Sequence, residues 1–363
     1  MKLLFSNFLR HGLLLAGLLL ALPQCGQAQL RWRDAADLPL YGKVVDDPGY
    51  IRLPDSLRHI SRPRLWELGH CTAGLYIRFR SNSTCIAARW ETPNTNLMHH
   101  MCPTGTRGLD LYARVDGKWR FVNTGRPSWE KFTEATLISN MEPEEREYML
   151  YLPLYASILS VEIGVDSLAT LDAPALDAPR RDKPIVCYGT SILQGGCATR
   201  PGMAHTSILS RRVDREVINL GFSGNGQLDY EIARVMAEVD AGLFILDFVP
   251  NVNVQQIEER AETFYRILRD RHPSTPMIFL EDPHFTHTIF DKRVAEEVAK
   301  KNEAVRRFFR KLKQSGERNI YFIPSDRMIG DDGEATIDGV HFTDVGMMRY
   351  VDLIYPTVRK LLK

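Results

Sequence analysis

The sequence predicts an α/β chain in which an antiparallel β-sandwich precedes a three-layer domain built on a parallel sheet. Three observations carry this. Short alternating segments divided by turn residues fill positions 29–171. Continuous apolar runs alternating with amphipathic helical periods fill positions 184–363. Between them, 172–183 repeats Asp-Ala-Pro, breaks both periodicities and reads as a linker. At 363 residues the chain has room for two domains of the usual ~100–200 residues each.

In the first half, 75–79, 85–90, 109–115 and 158–163 read as strands, and Asp116-Gly117 between 109–115 and 118–122 is a hairpin signal. No long helical period interrupts them, so a sandwich of jelly-roll type is expected. In the second half, 184–188, 217–220, 242–248, 276–280 and 320–323 have the composition of parallel strands buried on both faces. Amphipathic helices are expected over 253–271, 291–314 and 344–363. Five such βα units predict a flavodoxin-like sheet whose ligand crevice lies beyond the carboxyl ends of the strands. The Lys/Arg-rich face of 291–314 reads as a solvated surface.

Lys2 and Arg10, the apolar run 12–22 and the small-x-small triplet Gly26-Gln27-Ala28 have the form of a signal peptide spanning 1–28. The run is about half the ~20 residues that span a bilayer, so no stable membrane span is expected and the protein should be exported to the periplasm or beyond. A lipid anchor on Cys25 is disfavoured, because Pro23 and Gln24 stand where small residues are needed. With 46 Lys plus Arg against 45 Asp plus Glu, there is no global field to attract nucleic acid. Five cysteines remain after the leader, without a CxxC pair; buried thiols are expected for most, though Cys71 and Cys85 could close a hairpin.

The chemistry concentrates in two places. The first parallel strand runs into Gly189-Thr190-Ser191-Ile192, then Gly195-Gly196, which sets a serine at a strand tip in the expected crevice. A helix-capping serine would have the same sequence. Near the other end, Asp338-Gly339-Val340-His341 spaces a carboxylate three residues before a histidine across a turn. That spacing can fix the ring's tautomer and leave its other nitrogen free to accept a proton, which serine needs because its hydroxyl is a poor nucleophile. Gly224, after the second strand, and Asn251, after the third, are candidate donors for an oxyanion, though Asn251 could also cap a helix. His284, Arg200 and His205 are placed to line the crevice. Met98-His99-His100-Met101-Cys102 has metal-ligating residue types but lacks the second pair of a closed zinc site, so no metal is expected.

Serine, glycine, asparagine and Asp-x-x-His in this order resemble the SGNH hydrolase blocks. The Gly-Thr-Ser-Ile start together with Gly108-Leu109-Asp110-Leu111-Tyr112 resembles the GDSL-like lipase/acylhydrolase subfamily with an N-terminal GxDLY domain. Two departures stand out: Thr190 replaces the Asp of GDSL, and Asn251 is preceded by proline and lacks the usual following Asp. The resemblance implies a serine esterase without metal or organic cofactor, with Ser191 as nucleophile, His341 as base, Asp338 as its partner, and Gly224 and Asn251 as the oxyanion hole. It implies a carbohydrate O-acetyl or short O-acyl ester as substrate. Acyl transfer to an alcohol would use the same residues. A glycan-binding protein with an inert hydrolase domain is the alternative from another class, and it gives no reason for Ser191, Asp338 and His341 to occur together.

Overall fold

The computed structural model describes residues 29–362; the expected leader, 1–28, lies outside them. The first half contains strands β1 (Leu30–Asp34), β2 (Leu40–Tyr41), β3 (Tyr76–Ser81), β4 (Ile86–Glu91), β5 (Leu109–Val115), β6 (Lys118–Gly125), β7 (Phe132–Ile138), β8 (Arg146–Tyr151) and β9 (Ser160–Asp166), with short helices α1 (Pro63–Gly69) and α2 (Pro103–Arg107). They form two antiparallel sheets, ordered β1-β9-β4-β7 and β2-β3-β8-β5-β6. Alternation drives the packing: Ile77 and Phe79 of β3, Ala88 and Trp90 of β4, Leu109 and Leu111 of β5 and Ile163 of β9 share one dry core between the sheets. The hairpin at Asp116-Gly117 forms, with both residues at positive φ.

The second half contains β10 (Arg180–Gly189), α3 (Ser191–Gln194), α4 (His205–Val213), β11 (Arg215–Gly221), α5 (Tyr230–Ala237), β12 (Leu243–Asp247), α6 (Val254–Arg271), β13 (Met277–Leu280), α7 (Lys292–Gln314), β14 (Ile320–Ile323) and α8 (Asp344–Leu361). The strands are parallel in the order β11-β10-β12-β13-β14, so the chain reverses direction beside β10. Helices α5, α6 and α7 cover one face and α4 and α8 the other, each over its own apolar core. The expected α/β architecture is what the chain adopts. Strand β10 begins at Arg180, inside the segment read as a linker, with a register break before Ile185. The basic face of α7 is largely paired: Arg307 meets Glu258 and Lys311 meets Glu262 of α6.

The two halves share a core. Leu53, Leu57, Leu65, Leu68 and Cys71 pack with Ile218, Leu220 and Phe222, so a segment of the first half covers the β11 edge of the parallel sheet. Arg52, fully buried, clamps this seam by donating to the carbonyls of Leu68, Cys71, Asn219 and Gly221 at 2.7–2.9 Å. Here the structure corrects the possible Cys71–Cys85 pair. Cys71 lies in the α/β core while Cys85 precedes β4, and all five cysteines among the described residues are free.

Candidate active site

Ser191 sits where β10 meets α3. Thr190 is the N-cap residue, its side chain accepting from Ile192 N at 3.3 Å, so the capping role that Ser191 might have filled is taken and its hydroxyl is free. Tyr155 OH and Gly196 N both donate to the Ser191 carbonyl, at 3.2 and 2.8 Å, which fixes the turn from the sandwich side and from the loop beyond. Ser191 Oγ lies 2.9 Å from His341 Nε2, and His341 Nδ1 lies 2.7 Å from Asp338 Oδ2. Residues 150 positions apart are thus joined in one relay that can carry a proton from hydroxyl to imidazole.

The loop holding Asp338 and His341 is built locally. Asp338 Oδ1 accepts from Val340 N and His341 N at 3.0 and 2.8 Å, while Ile337 N donates to His341 O at 2.9 Å. Burial works against the charge on Asp338, yet hydrogen bonds from the His341 backbone and ring and from Val340 hold its carboxyl below the ordinary range. Gly339 adopts φ +87, and a Cβ there would come within 2.6 Å of His287 Nδ1. His287, which the sequence did not single out, contacts Gly339 O at 3.1 Å and so buttresses the loop.

The two expected oxyanion donors lie on neighbouring turns. Asn251 closes the single turn after β12, and its Oδ1 accepts from Gly226 N at 3.2 Å, tying it to the turn that carries Gly224. That turn presses on the serine loop: a Cβ on Gly226 would stand 2.3 Å from Gly189 O. Among the described residues, Gly224 N–H and Asn251 Nδ2 have no protein acceptor.

Three other expectations change. His284 is exposed and faces Asp326 at 3.8 Å, while the Ser191 hydroxyl meets His341. Arg200 does not line a crevice: it binds Asp110 Oδ2 and Tyr112 OH, both at 2.7 Å, and lies over the Phe121 ring. The aspartate of Gly108-Leu109-Asp110-Leu111-Tyr112 is therefore a tie between the sandwich and the α/β layers. His205 is buried against Tyr350, whose OH donates to Asp247 Oδ2 at 2.8 Å.

That column makes a pH prediction. Burial lowers His205 to about 3 from 6.5, so its contribution to stability is full above pH 6.5 and is lost as pH falls towards 3. Burial raises Asp247 to about 7 from 3.8, so its contribution is full below 3.8 and is lost as pH rises towards 7. The two slopes oppose each other between these limits. Asp247→Asn should leave the His205 slope alone, about 1 kcal/mol per pH unit, so the variant should lose on the order of 3 kcal/mol relative to wild type between pH 6.5 and 4. Urea midpoints measured across that range check this; parallel curves would refute the opposed slopes.

The GxDLY resemblance also implies that residues near His100 border the crevice, and His100 does reach the site. Its ring centroid is 5.4 Å from that of His341, which brings the 98–102 segment of the first half over the loop that holds Asp338 and His341. Burial lowers the His100 pKa, and the nearby His341 lowers it further. Cys197, at φ +69 in the turn after α3, is buried beside them, and burial pushes its thiol up to about 12.

Comparison with known proteins agrees with this architecture. The model of the GDSL-like lipase/acylhydrolase family matches residues 182–359, and that of the N-terminus of SGNH-hydrolase-type esterases, GxDLY, matches 30–171. A protein assigned as a GDSL-like lipase from Bacteroides ovatus is 37% identical, with a TM-score of 0.88 over 92% of this chain and 98% of its own. A salicylyl-acyltransferase from a tetracycline biosynthetic pathway superposes with a TM-score of 0.76 at 18% identity, over 92% of this chain and 99% of its own. A family two carbohydrate esterase from Cellvibrio japonicus does so with 0.58 at 13%, over 92% and 98%; these two likenesses are of fold. A search of curated proteins returns no match. Among the described residues no helix is long and apolar enough to cross a membrane. The chain belongs to the GDSL-like lipase/acylhydrolase family and carries the GxDLY N-terminus of SGNH-hydrolase-type esterases.

Proposed function

We propose that this protein is a serine esterase that transfers an acyl group from a carboxylic ester to water. The observation that supports this is the relay Ser191 Oγ, His341 Nε2, His341 Nδ1 and Asp338 Oδ2, with contacts of 2.9 and 2.7 Å. Ser191 Oγ attacks the ester carbonyl carbon as His341 Nε2 takes its proton. The oxyanion that forms is held by Gly224 N–H and Asn251 Nδ2, which have no protein acceptor among the described residues. Collapse expels the alcohol, which receives the proton from His341, and a water molecule then repeats the sequence to release the acid. Asp338 keeps the ring in the tautomer that leaves Nε2 basic and stabilises the imidazolium.

The substrate we favour is an O-acetyl or other short O-acyl ester on a carbohydrate, met after export directed by the leader 1–28. The organisation we propose is a sandwich over 29–171, a linker that ends where β10 begins at Arg180, and the hydrolase unit from there to 363. Acyl transfer to an alcohol would use the same groups, and a glycan-binding protein with an inert hydrolase layer would not need them aligned. Hydrolysis of a chromogenic acetyl ester tests the reading. Wild type should turn over, Ser191→Ala should lose activity without losing its melting transition, and an added alcohol acceptor should not divert the product. Equal turnover by Ser191→Ala would end the assignment; an inert wild type would favour the binding protein.

A further inference from the structure

We infer that His100, Cys197 and His341 form a three-ligand site for a zinc-class divalent cation. One donor atom from each, two imidazole nitrogens and a sulfur, lies within 4.8 Å of the others. They converge from three separate segments: the 98–102 segment before α2, the turn after α3 and the loop before α8. The packing there is tight, since a Cβ on Gly196 would stand 3.1 Å from His341 Cδ2. Donors bound to a tetrahedral zinc at about 2.0–2.3 Å stand roughly 3.3–3.7 Å apart, so rotations of about 1 Å at the side-chain ends would close the shell. Two nitrogens and a thiolate suit a borderline-soft cation, and no carboxylate among the three invites magnesium or calcium.

The rest of the shell is also present. Asp338 holds His341 Nδ1, the carboxylate–histidine arrangement that orients a ligating imidazole, which leaves Nε2 for the metal. Ser191 Oγ, 2.9 Å from that nitrogen, or a water can take the fourth position. On binding, the two histidines donate neutral lone pairs, the Cys197 sulfur–hydrogen bond breaks, its electron pair forms the sulfur–metal bond and its proton leaves to buffer. The Nε2 lone pair is then no longer available to Ser191, so an occupied site inhibits hydrolysis. This consequence rests on the base role proposed above for His341; the site itself does not.

The test uses the full chain after chelator treatment, titrated with zinc against a chromophoric chelator and with cobalt(II) as a spectroscopic probe. One cation should bind per chain, with tetrahedral cobalt bands and a thiolate charge-transfer band. Cys197→Ala should remove that band, and both it and His100→Gln should weaken binding at least tenfold. His100 lies in a surface segment, so its variant decides the matter even if Cys197→Ala does not fold. Cys102→Ser, which removes a neighbouring exposed thiol, should bind as wild type does. Saturating zinc should lower ester hydrolysis at least tenfold, reversed by chelator, while magnesium and calcium should not. A cobalt spectrum without the thiolate band, or affinities unmoved by both variants, overturns the site. A cation bound with that band but without effect on hydrolysis upholds the site and overturns His341 as the base.

Discussion

His341→Ala should lower kcat on an activated acetyl ester by on the order of 10⁶-fold, because the base role proposed for it serves both acylation and deacylation, and its loss removes nearly all that the serine contributes. The relay explains the size. Ser191 Oγ has His341 Nε2 at 2.9 Å, and His284, turned towards Asp326, is not placed to substitute. Asn251→Ala should fail differently. In the oxyanion role proposed for it, its amide contact forms fully only in the transition state, so kcat should fall about 10²–10³-fold with KM little changed. A serine-directed fluorophosphonate separates the two: labelling of Ser191 should slow greatly in His341→Ala and should continue in Asn251→Ala, where the serine is still activated. Should His341→Ala label at the wild-type rate while His284→Ala does not, the base must be reassigned and the Asp338 pairing abandoned.

Asp110→Ala should destabilise the protein by about 3 kcal/mol, at the lower end of the cost of breaking a buried ion pair. Asp110 is fully buried and serves three donors: Thr124 Oγ1 at 2.8 Å, Arg200 Nη1 at 2.7 Å and Gly202 N at 2.9 Å. Burial raises its carboxyl pKa despite the pull of Arg200, which means that desolvation outweighs the attraction. The pair therefore specifies how the sandwich meets the hydrolase layer more than it adds net stability. Its loss strands a largely buried guanidinium and a buried amide. The 197–202 segment runs from the serine turn to Gly202, so activity should fall along with the denaturation midpoint. Asp110→Ala combined with Arg200→Met should recover part of the midpoint, because the stranded charge is gone. A double variant as unstable as the sum of two independent losses would argue against this coupling.

The sequence by itself determined the elements whose cause is local. Parallel strands covered on both faces must be apolar throughout, which made the strands around 184–188 and 320–323 readable, and α6 and α7 were readable from their period. Asp338 and His341 are three residues apart, so their meeting was legible in the turn. Strand β8 was not: it begins Arg146-Glu147, and only the structure reveals that Glu147 is nearly buried against Arg78 of β3 at 2.8 Å, an ion pair that hides a central strand behind charge. Tertiary structure alone decided that Arg200 belongs to Asp110, that His205 belongs to the core, that Arg52 seals the sandwich side onto β11, and that His100 and Cys197 stand beside His341. Each of these joins segments far apart in the chain. Turn chemistry and periodicity constrain neighbours within a few residues, whereas pairing across many depends on which buried surfaces leave the fewest polar groups unsatisfied once the whole chain has packed.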